Sequence, residues 1–388
     1  MKSAVPGHIA LNALFLHYPL SGTGRYLSNL IERAACQVDL GLLGAVAYPP
    51  AAPSSTYLLR LVRTPFDRRQ RNLAKVWFEQ VALQLAARKT GAALLHNPYF
   101  AAPLASLLPT VVTVHDLVPL LRPEYRGTAM QRLYTALVTG GLRAASRIIT
   151  DSEASARDLR GRLGVPGDRL RVVPLGVAAR FRPLETDDER TFAAAVLARH
   201  GLDRPYFLYV GGLDRRKNVG GLVRAFARLK RERDVPHVLA IVATVRSGDA
   251  LFYDPRPDVE RLGIGDAVCL PGPLPDDEVR ALHARADAFV FPSFYEGFGL
   301  PPLEAMACGA PVVCSNASSL PEVVGDSGLL FDPSDDAGLV ALLWRVSRDQ
   351  ELRRDLGRRG RERAARFTWE NTVRSTIEVW DEVLGRRR

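Results

Sequence analysis

Glu296 and Glu304 stand eight residues apart in Phe-Tyr-Glu-Gly-Phe-Gly-Leu-Pro-Pro-Leu-Glu (294–304). The spacing predicts the first on a loop and the second on the helix that follows, so both can face one pocket at a strand end. Pro301 and Pro302 suit the first turn of a helix, where backbone donors lack intrahelical partners. Gly297 and Gly299 allow backbone to approach a ligand closely. Such a junction binds anions through free N–H groups and the helix dipole. Carboxylates beside an anion site suit a nucleotide sugar: its diphosphate meets the N–H groups and its hydroxyls meet the carboxylates.

Tyr209-Val-Gly-Gly-Leu-Asp-Arg-Arg-Lys-Asn218 reads as a second anion site. Gly211 and Gly212 turn the chain after an apolar strand. Arg216 and Lys217 would offer charge to a diphosphate and stabilise it as it leaves. Without those surroundings, Arg-Arg-Lys is an ordinary solvated cluster. Near the N-terminus, Gly22 and Gly24 in Ser-Gly-Thr-Gly-Arg-Tyr (21–26) give half a dinucleotide fingerprint. Leu27 occupies the third glycine position and no acidic residue follows at the right place, which argues against a NAD fold. A loop reaching into a ligand cleft fits better, with Arg25 contacting acceptor or phosphate. His115 and Asp116 follow the apolar run Val111–Val114. A lone His is more often structural, but strand ends face the ligand in doubly wound sheets. Asp116 would orient His115 or cap the next element. No G-x-S-x-G elbow is present, and no His/Cys/Asp cluster has metal-ligand spacing.

These residues need strands and helices to position them. Ile9–Leu16, Ala92–Leu95, Thr110–Val114, Arg147–Thr150 and Leu170–Val173 read as short strands. Helical patterns lie between them at 24–35, 72–89, 124–145 and 152–163. A second block has strands at Tyr206–Val210, Val238–Ala243, Ala267–Leu270, Ala288–Pro292 and Pro311–Cys314. Its helices lie near 218–231, 276–285, 301–308 and 335–348. Alternation of this kind means βαβ units and parallel sheets. The expected organisation is therefore α/β with two doubly wound domains: residues 1–178, a linker region at 179–204, and residues 205–367. One long helix, Thr368–Leu384, closes the chain.

The 388 residues, 47% of them hydrophobic, can supply two cores. The four cysteines form no C-x-x-C pair, which points to a reducing compartment. Neither a signal peptide nor an apolar run of about 18 residues is evident, so a cytoplasmic location is expected. Net charge is +10. Residues 1–178 hold 21 Lys/Arg against 10 Asp/Glu, whereas the remainder is nearly neutral. A basic half suggests an anionic partner such as a membrane surface or lipid diphosphate. The bland alternative is an arginine bias, since only 5 of the 52 basic residues are lysine.

Together these motifs resemble the retaining glycosyltransferases of family 4, with the GT-B fold, in their mannosyltransferase-like group. The likeness includes Glu296-x7-Glu304, the G-T-G-R-Y loop and V-H-D-L. It extends to D-S-E-A-S-A-R-D-L (151–159), V-V-P-L-G-V (172–177) and S-S-L-P-E-V-V-G-D-S-G (318–328). The resemblance implies two Rossmann-like domains facing across a deep cleft. The first would bind the acceptor, completed by helix 368–388, and the second the nucleotide sugar. Glu304 would hold the ribose hydroxyls and Glu296 those of the donor sugar. Backbone at Gly297, Phe298, Gly299 and Leu300 would meet diphosphate and sugar, with Gly22, Gly24, Gly211 and Gly212 also on the donor side. Arg216 and Lys217 would bind the diphosphate, and backbone near Gly272–Leu274, including Gly272 and Leu274, would read the base. His115 would sit beside the sugar, and Arg25, Tyr26 and Asp116 would contact the acceptor. No metal or other cofactor is obligatory in that family. Two departures stand out: Gly212 replaces a common arginine, and Ala243-Thr244-Val245 replaces a glycine-containing turn.

The implied reaction moves a sugar, first choice mannose from GDP-mannose, to a glycan or lipid-linked hydroxyl. UDP- and dTDP-sugars remain alternative donors. The anomeric configuration would be retained, with the leaving phosphate taking the acceptor's proton. Attachment at the inner membrane face would match the basic first half. A nucleotide-sugar epimerase on the same fold is the first alternative, but carboxylates are few at the first domain's strand ends. A basic nucleic-acid-binding protein is the second. Only segment 60–78 interleaves arginines with aromatic residues, and it reads more naturally as a loop and amphipathic helix.

Overall fold

The computed structural model describes residues 8–19, 21–51, 58–68, 70–246 and 248–385. The chain divides into two compact units. Unit 1 holds Met1–Gly176 and Trp369–Arg388, and unit 2 holds Val177–Thr368.

Unit 1 is built on seven parallel strands: β1 (Ile9–Asn12), β2 (Leu40–Ala45), β3 (Leu59–Val62), β4 (Leu94–Asn97), β5 (Thr110–Thr113), β6 (Arg147–Thr150) and β7 (Leu170–Val172). Their order is β3-β2-β1-β4-β5-β6-β7. Ile9 pairs with Leu40 on one side and Leu94 on the other. Central strands covered on both faces read as unbroken apolar runs, and β1, β4 and β5 are buried along their whole length. Leu14, Phe78, Leu83 and Leu95 belong to one apolar cluster, and Val112, Leu142, Ile148 and Leu159 to another. The last helix, Trp369–Val383, belongs to this unit. Trp380 Nε1 donates to His96 Nδ1 at 3.2 Å, and Thr372 Oγ1 donates to the Pro174 carbonyl at 2.8 Å. Glu382 accepts from both Arg147 and Arg171. Burial pushes the His96 pKa down to about 3, so its neutral ring can accept the indole proton.

Unit 2 has six parallel strands: β8 (Tyr206–Val210), β9 (Val238–Val242), β10 (Val268–Cys269), β11 (Ala288–Phe291), β12 (Val312–Ser315) and β13 (Leu329–Phe331). Their order is β10-β9-β8-β11-β12-β13. The direction of winding switches between β8 and β11. In open parallel sheets ligands bind outside the carboxyl ends of the strands at this switch.

Several elements differ from the expectations. The first strand stops at Asn12, and Leu14–His17 form a 3₁₀ turn because Asn12 Oδ1 accepts the Leu14 N–H. The helix expected from 124 starts at Ala129. Gly127 takes a left-handed φ of +61°, and Thr128 with Gln131 forms a capping box. Residues 72–89 are helical but contain a π-helical turn at Phe78–Ala82. Strands β2, β3 and β13 were not expected: β2 contains Gly41 and Gly44, β3 is a half-exposed edge, and β13 has three residues. The expected linker region, 179–204, is part of unit 2. Its helix Asp187–Arg199 is held there because Glu189 accepts from Arg182 and Arg280.

Candidate active site

The loops after β8 and β11 meet at the switch point of unit 2. The Phe294 N–H donates to the Arg216 carbonyl at 2.8 Å, and Arg216 returns a bond to the Tyr295 carbonyl at 2.9 Å. Asn218 adopts a left-handed φ of +54°. Its amide donates to the carbonyls of Pro292 and Pro333, which compensates for that strained backbone.

Glu296 lies in this junction, 7% exposed. Lys217 Nζ donates to its Oε1 at 2.6 Å, and Arg216 donates to its Oε2 at 2.9 Å. Arg216 Nε also faces Asp214 Oδ1 at 2.9 Å. Two cations and two carboxylates thus form one compact, formally neutral group. Burial alone would raise the Glu296 pKa, but Lys217 and Arg216 outweigh it and hold the carboxyl below its ordinary value.

The turn after Glu296 is fixed from below. The Glu296 N–H donates to Ser318 Oγ at 2.8 Å, and Ser319 Oγ lies 2.6 Å from the Phe298 carbonyl. Gly299 takes φ +120°, and a Cβ there would meet Leu320 Cδ2 at 2.8 Å. The backbone conformation is what favours glycine here, and a side chain would also have to displace the Leu320 tip. Phe298 packs inward, edge-on to Phe367 at 5.9 Å. The helix Leu300–Cys308 starts here with Pro301 and Pro302. Prolines lack N–H groups, so two of the helix's early donors are missing. The anion binding expected from the sequence would then rest on Leu300 and the turn before it. Glu304 follows on the same helix, 7% exposed. Gly211 and Gly212 open the loop after β8, with the Gly212 carbonyl held by the Tyr209 hydroxyl at 2.5 Å. Gly272 has φ +82° and open space where a Cβ would project, and Leu274 is half-buried.

In unit 1 the structure redistributes the expected roles. His115 follows β5 and pairs through Nδ1 with Asp151 Oδ2 at 2.8 Å, while its Nε2 lies 3.2 Å from the Pro98 carbonyl. Burial disfavours the imidazolium, but the Asp151 carboxylate prevails and raises the His115 pKa. Asp116 does not orient His115: its Oδ1 accepts the Val118 N–H and caps the next short helix. Tyr26, expected at the acceptor, is buried at 1% exposure, with its hydroxyl 3.4 Å from Thr113 Oγ1 and its ring edge-on to His115. It supports His115 and offers no free surface to an acceptor. Gly24 is required by packing, since a Cβ would come within 2.1 Å of the Tyr18 carbonyl oxygen. Its N–H is taken by Ser21 Oγ, whereas Gly22 is exposed. Arg25 is half-buried on the first turn of the same helix.

Three supporting residues escaped the sequence reading. Asp151, Ser318 and Ser319 all fall in the quoted segments 151–159 and 318–328, yet were given no roles there. An acidic residue at one strand end was the available signal for Asp151, whereas the sequence carries none that ties Ser318 and Ser319 to the Gly-Phe-Gly turn. No group of three or more His, Cys, Asp or Glu among the described residues could hold a metal ion. No helix among them is long and apolar enough to cross a membrane.

The glycosyl transferases group 1 family matches residues 197–363, and glycosyltransferase family 4 matches residues 20–181. The chain is 32% identical to O-antigen chain mannosyltransferase B of Escherichia coli over 379 residues, covering 94% of this chain and 97% of that protein. It is 36% identical to MMP alpha-(1->4)-mannosyltransferase of Mycolicibacterium hassiacum over 278 residues, which is 69% of this chain and 60% of that protein. Among solved structures, sucrose-phosphate synthase from Thermosynechococcus elongatus superimposes with a TM-score of 0.78 at 24% identity, covering 98% of this chain and 99% of that one. The chain thus belongs to the family 4 glycosyltransferases of group 1, with the GT-B fold and a mannosyltransferase-like sequence.

Proposed function

We propose that this glycosyltransferase transfers mannose from GDP-mannose, with retention of configuration, to a glycan or lipid-linked hydroxyl. The observation that carries the donor side is the ionic group of half-buried Asp214 and Arg216 with buried Lys217 and Glu296 at the switch point of unit 2. The choice of mannose rests on relatives whose names are mannosyltransferases. Glu296 holds both cations in place before the donor arrives. An incoming diphosphate competes with it for Arg216 and Lys217, which frees Glu296 to accept bonds from donor-sugar hydroxyls. Preset cations stabilise leaving-group charge without reorganisation. Glu304 holds the ribose, and backbone around Gly297–Leu300 meets the diphosphate.

In the reaction the bond from the anomeric carbon to the diphosphate oxygen breaks. A bond to the acceptor oxygen forms on the same face, and the acceptor's proton passes to the departing phosphate oxygen. His115, held by Asp151, exchanges the Pro98 carbonyl for a sugar hydroxyl at Nε2. Peripheral attachment to an anionic membrane surface matches the basic charge of residues 1–178 and the exposed Met130 and Leu133 on one helix. NMR of the product tests the reaction. An α-linked mannoside from α-configured GDP-mannose supports it, and a β-linked product overturns retention.

A further inference from the structure

Arg71 and Lys75 lie one turn apart on the helix Arg71–Trp77, and Gln131 and Tyr134 lie three residues apart on the helix Ala129–Gly141. Such spacings put each pair on one helix face. The two faces line a cavity of about 690 Å³ in unit 1, with Leu73 and Met130 among its apolar walls. Behind it lies Glu79, fully buried in the π-helical turn. Its Oε1 accepts from the Tyr99 hydroxyl at 2.7 Å and its Oε2 from the Tyr134 hydroxyl at 2.8 Å. Lys75 Nζ lies 3.0 Å from Glu79 and 2.5 Å from the Tyr134 oxygen. An ammonium has three N–H groups, so one remains for the cavity. The Arg71 guanidinium stacks over Tyr48 at 4.9 Å and pairs with no carboxylate among the described residues. Gln131 spends its side-chain oxygen on the Thr128 N–H, which leaves its amide N–H groups. No carboxylate lines the cavity.

We infer that this cavity is a recognition pocket for a phosphorylated sugar, with the phosphate on Arg71 and Lys75 and the hydroxyls on Gln131. Two cations one turn apart suit a phosphate. The sealed Glu79 fixes Lys75 without presenting negative charge to the ligand. Only the ligand's role as acceptor rests on the function proposed above. The binding itself does not.

The test is calorimetry with mannose 1-phosphate and methyl α-mannoside as probes. Mannose 1-phosphate is expected to bind at least tenfold more tightly than the neutral glycoside. Arg71→Gln and Lys75→Met are each expected to weaken it at least fivefold, and Arg216→Gln, which removes a proposed donor-site phosphate contact, to leave it unchanged. Lys75→Met strands the buried Glu79 and can unfold the unit, so exposed Arg71 provides the deciding variant. Equal binding of both probes, no binding, or loss in Arg216→Gln but not in Arg71→Gln overturns the inference. Nucleotide binding by the same variants tests the donor site separately, so either reading can fail alone.

Discussion

Lys217 Nζ and Glu296 Oε1 lie 2.6 Å apart, both buried, one on the loop after β8 and the other on the loop after β11. This ion pair crosses the point where the sheet of unit 2 reverses its winding. Breaking a buried pair by removing one charge typically costs about 3–5 kcal/mol. Glu296→Gln leaves Lys217 with a neutral partner of the same shape. Turnover should fall at least tenfold, and the melting temperature should drop. Unchanged turnover in a folded variant would remove Glu296 from the reaction.

The pH dependence of stability should differ between the units. Glu296 has a depressed pKa in the folded protein. Its stabilisation is present above the ordinary value of 4.5 and is lost as pH falls through the lower folded value. His115 behaves oppositely. Its pKa is raised, so its contribution is full below 6.5 and fades as pH climbs through the higher folded value. Denaturant titrations across pH 3–9, as an approximate span, should show Glu296→Gln flattening the acid limb. Asp151→Asn should flatten the neutral-to-alkaline one.

Ser319 is buried and its hydroxyl lies within bonding distance of the Glu296 and Phe298 carbonyls. Ser319→Ala removes one hydroxyl donor and leaves the Phe298 carbonyl short, at about 1–3 kcal/mol, while the Glu296 carbonyl keeps Ser318 Oγ. The turn that positions the proposed diphosphate contacts should loosen. Steady-state kinetics should show a severalfold higher KM for the donor with a smaller change in kcat.

Gly24→Ala forces a methyl group against the Tyr18 carbonyl oxygen. Overpacking of this kind costs about 1–3 kcal/mol. Thermal unfolding should occur several degrees lower, while nucleotide binding by the folded protein stays intact. A melting temperature equal to that of the parent would show that the Tyr18 loop yields freely.

The alternation of apolar runs and helical patterns made the two sheets legible, and the strands that carry the site were placed to within one or two residues. Strand β3 was not, because Leu59–Val62 is half-exposed and offers little apolar signal. The spacing of Glu296 and Glu304 placed them correctly on loop and helix. The partners of these groups were less legible. Asp151 lies 36 residues from His115, and Ser318 lies 22 from Glu296, so only the folded sheet brings each pair together. Of the two roles open to Asp116, the structure takes the second: its carboxylate caps the following helix. Tyr26 misled because a tyrosine beside a glycine loop carries no mark of whether its ring points inward.

The central claim is that unit 2 binds a nucleotide through Glu304 and the group around Glu296. Calorimetric titration with GDP, UDP, dTDP and ADP, repeated on Glu304→Ala, tests it most directly. The account predicts selective binding of GDP, weakened at least tenfold in the variant. Absence of binding to all four nucleotides, or equal affinity in the parent and Glu304→Ala, would contradict it.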